Sequence, residues 1–377
     1  MRIEQLNIRE IRLPLREAFV SSAGRVEVRR LILLTAWNED GRQGWSECVA
    51  LERPDYVPET VDTAWIAIGE WLAPRLVGHE IAEPRHAHEV LHQGIRGHAM
   101  ARGAVEMVVW DLFARCRGVS LAELLGGERG FVDSGVVVGL QESLEATLAA
   151  ARGAVAAGYR RIKLKVRRGF DLEPVAAVAE LLRAEAPTVA LVMDANSAYT
   201  LEDLEHLRRF DAFGLQMIEQ PLHWDDLTDH AELQRHLETP VCLDESVRGV
   251  TAARQMLTLG SGRVLNLKPG RVGGLTAALE IHRLCREQGV DLWCGGMLES
   301  GIGRAYNVAL ASLPGFTLPG DLSPSRRYWD RDIVDPEWTM DESGKVTVPR
   351  AVPGIGVTVD EDRVEDLTVR RRTLRAP

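Results

Sequence analysis

Two hydrophobic rhythms divide the chain. From about residue 133 onward, short apolar or β-branched runs recur at GVVVGL (135–140), RIKLKV (161–166), ALVMDAN (190–196) and GLQMIEQ (214–220). They continue at VCLDES (241–246), RVLNLKP (263–269), DLWCGG (291–296) and FTLPG (316–320), which predicts eight strands. Between them lie stretches rich in Ala, Leu, Glu and Arg. Ser143 opens SLEATLAAARGAVAAG as an N-cap, with Glu145 in the first turn where a carboxylate suits the helix dipole; Thr200, with Asp203 three residues on, opens TLEDLEHLRRF. Strands alternating with helices about every 25 residues predict a parallel sheet with right-handed crossovers. Eight such units fit a (β/α)8-type barrel better than an open doubly wound sheet, and no G-x-G-x-x-G follows the first strand.

Residues 1–132 follow a different pattern. IEQLNIREIRLPL and RRLILLTAWNEDGRQGWSECV read as strands, the second with a turn at Glu39-Asp40-Gly41, and helical patterns follow at 58–77, 83–95 and 98–117. This predicts a separate α+β domain over 1–132 and a barrel over 133–340. The segment 341–377, with KVTVPR and GIGVTVDEDRV, is expected to return as strands to the first domain.

Composition narrows the function classes. A net charge of −10 over 377 residues disfavours nucleic acid or an anionic membrane as partner. No run approaches the ~18 apolar residues of a membrane span, and the alternating N-terminus reads as a strand and not a signal peptide. Five scattered cysteines with no C-x-x-C pair point to the cytoplasm rather than to disulfides or a zinc knuckle.

The charged residues carry the chemistry. In RIKLKV, Ile162, Leu164 and Val166 share one face, and Lys163 and Lys165 the other. Taken alone, such a pair reads as a solvated edge; inside a barrel it needs a reason. Asp194, Glu219, Asp244 and Lys268 end the third to sixth barrel strands, with separations of 25, 25 and 24 residues, so each holds an equivalent place in its repeat. Chemistry gathers at such strand ends. Three carboxylates in one low-dielectric mouth repel unless a cation joins them. An all-oxygen set suits Mg2+ or Mn2+, and the lack of His or Cys disfavours zinc. Lys165 and Lys268 then flank an anionic substrate, one over each face. A nearby ammonium, Lys163 for Lys165 and Arg271 for Lys268, is expected to push each lysine's pKa down toward a neutral base. This arrangement suits removal of a proton α to a carboxylate, with the cation taking up the charge that develops on oxygen.

These residues resemble the enolase superfamily in its muconate-lactonising-enzyme subgroup, and most of all the N-acylamino acid racemase / o-succinylbenzoate synthase branch. The marks are K-x-K at 163–165, DANSAYT from Asp194, IEQPL from Ile218, CLDES from Cys242, NLKPGRVGG from Asn266 and WCGGMLESGIGRA from Trp293. The likeness runs from LPLREAF to PGIGVTV. It implies an N-terminal capping domain over a (β/α)7β modified TIM barrel. Lys165 and Lys268 are then acid/base groups, and Asp194, Glu219 and Asp244 hold Mg2+. Asn196 and Arg271 support them, and EAFVSSAG (17–24, with Ser21 and Ser22) and GGMLES (with Gly296, Met297 and Leu298) shape the pocket. The resemblance further implies a small carboxylate substrate, a homo-oligomer of dimers or larger rings, and two reactions. One is syn dehydration to o-succinylbenzoate on the menaquinone route, with Lys165 as base and Lys268 as a cation. The other is racemisation of N-succinyl or N-acyl amino acids by both lysines.

Two departures stand out. Val137 replaces a small hydroxyl residue on the first barrel strand, and RRGFD (167–171) replaces the usual turn after K-x-K. Relatives acting on dipeptides carry Asp-x-Asp after the eighth strand; here GDLSPS (320–325) disfavours such substrates. Alternatives are another cycloisomerase or epimerase on the same scaffold, a Schiff-base lysine barrel, or a non-catalytic binding protein. GRVGG (270–274) reads as a helix-entry loop, Trp293 and Cys294 as core, and His206, His223, His230 and His236 as surface.

Overall fold

The computed structural model describes residues 1–21 and 24–377. The chain opens with a long antiparallel pair, β1 (Ile3–Ser21) and β2 (Gly24–Asn38), followed by β3 (Gln43–Cys48). The run RRLILLTAW is apolar on both faces because this sheet is covered on both. Leu6, Ile8, Ile32 and Leu34 pack on the helices α1 (Val61–Ile66), α2 (Pro84–His92) and α3 (Ala99–Arg117), while Ile11, Leu13, Leu31 and Leu33 join the core shared with the barrel. Helix α3 is buried along most of its length and ends at Gly118, whose φ of 69° is the left-handed C-cap that glycine adopts without strain. A short α4 (Leu121–Leu125) and β4 (Phe131–Asp133) lead into the barrel.

Seven parallel strands come next: β5 (Gly135–Val138), β6 (Arg161–Lys165), β7 (Ala190–Asp194), β8 (Met217–Glu219), β9 (Val241–Leu243), β10 (Val264–Asn266) and β11 (Asp291–Trp293). Helices α5 (Leu144–Ala156), α6 (Leu172–Glu185), α7 (Leu204–Leu207, extended by 3-10 turns), α8 (Thr228–His236), α9 (Val250–Leu259), α10 (Pro269–Val272), α11 (Leu275–Gln288) and α12 (Gly301–Ala311) form the outer layer. Ser143 and Thr200 cap their helices as expected.

The eighth expected strand is different. FTLPG forms no ladder, yet it closes the ring: Leu318 N–H donates to Leu292 at 3.4 Å, Gly135 N–H to Gly320 at 2.6 Å, and Gly320 N–H to Asp133 at 3.0 Å. Two prolines near it, Pro314 and Pro319, remove the donors a longer ladder would need. The fold is thus seven βα units and a closing segment, a (β/α)7β barrel.

The returning tail divides its attachments. After β12 (Val334–Asp335), β13 (Lys345–Thr347) pairs with β4 and β14 (Thr358–Val359) with β12. Past α13 (Glu361–Leu367), β15 (Thr368–Arg375) alone reaches the first sheet, antiparallel to β1 with Ile8 opposite Arg372. The sheet order is β15-β1-β2-β3. Ser22 and the side chain of Ser21, expected to line the pocket, lie outside the described residues.

His230 corrects the surface reading of the histidines. It is fully buried: its Nε2 accepts from Leu222 N–H at 3.1 Å and its Nδ1 faces Asp226 at 2.8 Å, fixing the loop after β8. Strand β3 and α3 approach so closely at Gly44 that an added Cβ would stand 2.8 Å from Leu112 Cβ and 2.9 Å from the Val108 carbonyl. Gly44→Ala is therefore expected to cost about 1–3 kcal/mol of stability, read as a lowered thermal midpoint with the far-ultraviolet spectrum unchanged.

Candidate active site

Strand parity sorts the barrel interior into layers. Ile162, Leu164, Leu265 and Leu267 face the helices, whereas Val192, Met217, Cys242, Val264 and Trp293 form an apolar floor inside the ring. Two residues further along the same strands stand Asp194, Glu219, Asp244 and Asn266, with Lys163 beside them on β6. Register places Lys165 opposite Asp194 and Asp194 opposite Glu219. The RIKLKV lysines are therefore inside, and Trp293 supports them: Arg161 and Lys163 lie 4.1 and 4.8 Å from its ring centroid.

The mouth is a network of charge pairs. Lys163 Nζ lies 3.0 Å from Glu219, 2.9 Å from Asp321 and 3.5 Å from Asp194. Lys165 lies 2.6 Å from Asp194 and donates also to Asn196. Lys268, across the carboxylates, lies 2.9 Å from Asp244 and 3.0 Å from the Tyr56 hydroxyl. Arg271 pairs with Asp244 and donates to Tyr56 at 3.1 Å. Apart from Glu219 and Arg271, these groups border one cavity of about 700 Å3, whose walls include Val137, Gly296, Met297 and Leu298.

The electrostatics reverse one sequence expectation. Burial works against charge on Lys163, but Asp321, Glu219 and Asp194 outweigh it and its pKa is raised, in keeping with its expected part as the neighbouring ammonium; the reversal is at Lys268. Lys268 is likewise raised against its burial, through Tyr56, Glu219 and Glu245. Carboxylates, joined at Lys268 by Tyr56, outweigh the neighbouring ammoniums at both positions. Asp321 is drawn down to about 2: burial opposes its ionisation, and Lys163 and Arg161 overcome it. Glu245 is the exception among the acids, pushed up to about 7 by burial and then by Asp194.

The acids are pulled toward these cations rather than toward each other. Among the described residues, no three His, Cys, Asp or Glu side chains form a ready-made cage for an ion. Yet the donor set fits a hard dication. Among the described residues the buried Oε2 of Glu245 lacks a hydrogen-bond partner, and burial and then Asp194 push that carboxyl up to about 7.

Backbone strain gathers at the same rim. Asn196, Ser197, Gln220 and Leu298 hold φ values of 42°, 64°, 39° and 55°, a region that side-chain-bearing residues seldom occupy. Hydrogen bonds hold two of these turns. Asn196 N–H donates to Asp194 at 3.0 Å, and Gln220 Oε1 accepts the Asp244 N–H at 3.0 Å.

Sequence reading missed five members of the site. Gln220 and Glu245 lie within IEQPL and CLDES beside the expected ligands, so the motifs contained them. Asn266 shares the inward parity of Lys268 and donates to Glu219 at 2.7 Å. Asp321 sits in GDLSPS, weighed only for what that stretch lacked. Tyr56 comes from the first domain, 188 residues from its partner Asp244, and carried no sequence signal.

Residues 3–126 match the mandelate racemase / muconate lactonizing enzyme N-terminal domain, and residues 146–363 match the enolase C-terminal domain-like family. The chain is 46% identical over 366 residues to an o-succinylbenzoate synthase of Geobacillus kaustophilus, covering 97% of this chain and 96% of that one. It is 45% identical over 376 residues to an N-succinylamino acid racemase of Thermus thermophilus, covering 100% of both. A solved enolase superfamily member from Listeria innocua superposes with a TM-score of 0.96 at 38% identity, over 100% of both chains. Fold, rim chemistry and likeness agree: the chain belongs to the mandelate racemase / muconate lactonizing enzyme family of the enolase superfamily.

Proposed function

We propose that this enzyme removes a proton α to a carboxylate, as an o-succinylbenzoate synthase, an N-succinylamino acid racemase, or both. Lys165 and Lys268 are the acid/base pair; Asp194, Glu219 and Asp244 are the ligands for Mg2+, with Mn2+ as the alternative. One observation carries the reading: lysines from β6 and from the end of β10 border one cavity, on opposite sides of the three strands that bear the acids.

Each residue then has a task. Lys163, held as an ammonium by three carboxylates, places a fixed positive charge two residues from Lys165. Asn196 orients Lys165 from one side. When bound, Mg2+ supplies positive charge for the substrate carboxylate as the α-carbon loses its proton. In the racemase reaction Lys165 and Lys268 take and give the α-proton from opposite faces. In the synthase reaction Lys165 takes the proton and returns it to the departing hydroxyl, while Lys268 stays a cation. Arg161 and Lys163 already engage Asp321, and Ser323 stands where dipeptide-specific relatives carry a second acid, which supports a substrate without a free ammonium.

Lys165→Ala and Lys268→Ala are each expected to lower racemisation of N-succinyl amino acids by roughly 10²–10⁴-fold, followed by polarimetry. Synthase turnover that survived Lys165→Ala would remove that residue from its role. EDTA is expected to abolish both activities and Mg2+ to restore them.

The raised Glu245 adds a pH signature. Cation binding favours its ionised form, so Mg2+ affinity is expected to weaken as pH falls below about 7. Calorimetric titrations across that pH should show a flatter dependence in Glu245→Gln; an unchanged slope would discount the role of this carboxyl.

A further inference from the structure

The two lysines are held differently. Lys165 takes its polar contacts from β7 and the turn after it, all within the barrel. Lys268 stands 3.7 Å from Met297 Sδ, in a wall that the first domain holds in place.

That wall is pinned by two buried ionisable side chains. Arg29 on β2 is 2% exposed; its guanidinium donates to the carbonyls of Val49 and Ala50 at 2.8 Å and, at 3.5 Å, to that of Met297. Glu47 on β3 is 0% exposed, and its carboxylate accepts from the Ser300 N–H at 3.1 Å, the Gly303 N–H at 3.2 Å and the Ser300 hydroxyl. Burying two such groups is unfavourable unless their polar atoms are used, and here they are used on one short segment.

The segment has no slack. Leu298 holds its φ of 55° between the two anchors. A Cβ on Gly303 would lie 2.7 Å from Glu299 Cβ and 3.1 Å from Glu47 Cδ, and one on Gly295 would lie 2.5 Å from Lys268 Cε. A shift at Glu47 or Arg29 therefore passes to Met297 and Leu298, and from there to the Lys268 side of the cavity. Lys165, held by Asp194 and Asn196, shares the cavity with Arg29 but takes no hydrogen bond from this segment among the described residues.

We infer that Arg29 and Glu47 are positioning residues that set the Met297–Leu298 wall against Lys268, and so govern proton transfer on the Lys268 face of the substrate but not on the Lys165 face. This rests on the two-lysine reading above. It gives the first domain separate control over the lysine whose duty differs between the two reactions.

The test uses the intact protein with Mg2+ in deuterated water, following α-proton exchange of each enantiomer of an N-succinyl amino acid by NMR. The Lys268 face is the enantiomer that Lys268→Ala leaves unexchanged. In Glu47→Gln, exchange on that face is expected to fall about tenfold or more and on the other by less than about threefold. An equal fall on both faces, or none, overturns the inference. If Glu47→Gln does not fold, Arg29→Lys carries the same test, since lysine lacks the fork that reaches the carbonyls of Arg30, Val49, Ala50 and Met297. With methyl-labelled methionine, the Met297 signal, assigned through Met297→Leu, should move in either variant; a fixed signal also overturns the inference. Absence of exchange in the unmodified enzyme would refute the two-lysine reading instead, and the Met297 signal would still judge whether the wall depends on its anchors.

Discussion

Charge balance inside a low-dielectric barrel mouth is the constraint on which the rest of the site depends. Lys163, Lys268, Arg271 and Arg161 are almost fully buried, as are Asp194, Glu219, Asp244 and Asp321. None of these would be tolerated alone. Each is tolerated because a partner of opposite sign lies close by, and the equivalent strand ends bring the partners to one height. The cost of burial is thus offset collectively, and removal of one member would leave others uncompensated. Lys163 shows this best: three carboxylates keep it charged against complete burial. Glu245 is the acid left over, which makes the mouth receptive to one more positive charge.

The same use of buried carboxylates joins the first domain to the barrel. Glu106 on α3 accepts from the Leu275 and Thr276 N–H groups at 2.9 Å each, at the start of α11. Glu47 does so at the start of α12, and Asp111 accepts from Trp45 and Ile355 at 2.8 Å. Helix N-termini offer unpaired donors and a positive dipole end, so a carboxylate from outside the barrel is a natural anchor there. The pocket wall formed by Met297 and Leu298 is therefore built by the barrel and fixed by the other domain.

The barrel chemistry was legible because two periods coincide. Strand alternation of two residues set which side chains point inward, and a repeat of about 25 residues set which of those share a height. Asp194, Glu219 and Asp244 obey both periods; Lys163 and Lys165 obey the alternation alone, and Lys268 stands two residues beyond Asn266 on the same inward face, yet the structure brings all six to one mouth. Tyr56 obeys neither, arriving from another domain through a fold-level contact. The charge state of Lys268 escaped for a related reason. Counting neighbouring ammoniums along the sequence left out Tyr56, Glu219 and Glu245, which raise Lys268 against its burial. The closing segment of the ring read as a full strand because its apolar pattern is strand-like, whereas its prolines permit only scattered hydrogen bonds. His230 read as surface because its helix is mostly polar, and only the fold shows the Leu222 amide against its ring.

This division has a chemical consequence. Proton abstraction needs a lysine held against a carboxylate array, which adjacent parallel strands supply whatever lies above them. Which face of the carbon acid is worked, and whether the second amine must move a proton or remain charged, depends on how that amine is surrounded. Around Lys268 those surroundings include Tyr56 and the Met297 wall, set by the first domain; around Lys165 they are Asp194 and Asn196, set by the barrel. On the proposed reading, a change confined to the first domain would shift the balance between a one-lysine dehydration and a two-lysine racemisation while leaving the strand-end array as it is. On the two-lysine reading proposed above, the array would serve the proton abstraction common to both reactions, and the asymmetric support of the two amines would separate loss of water from return of the proton to the opposite face.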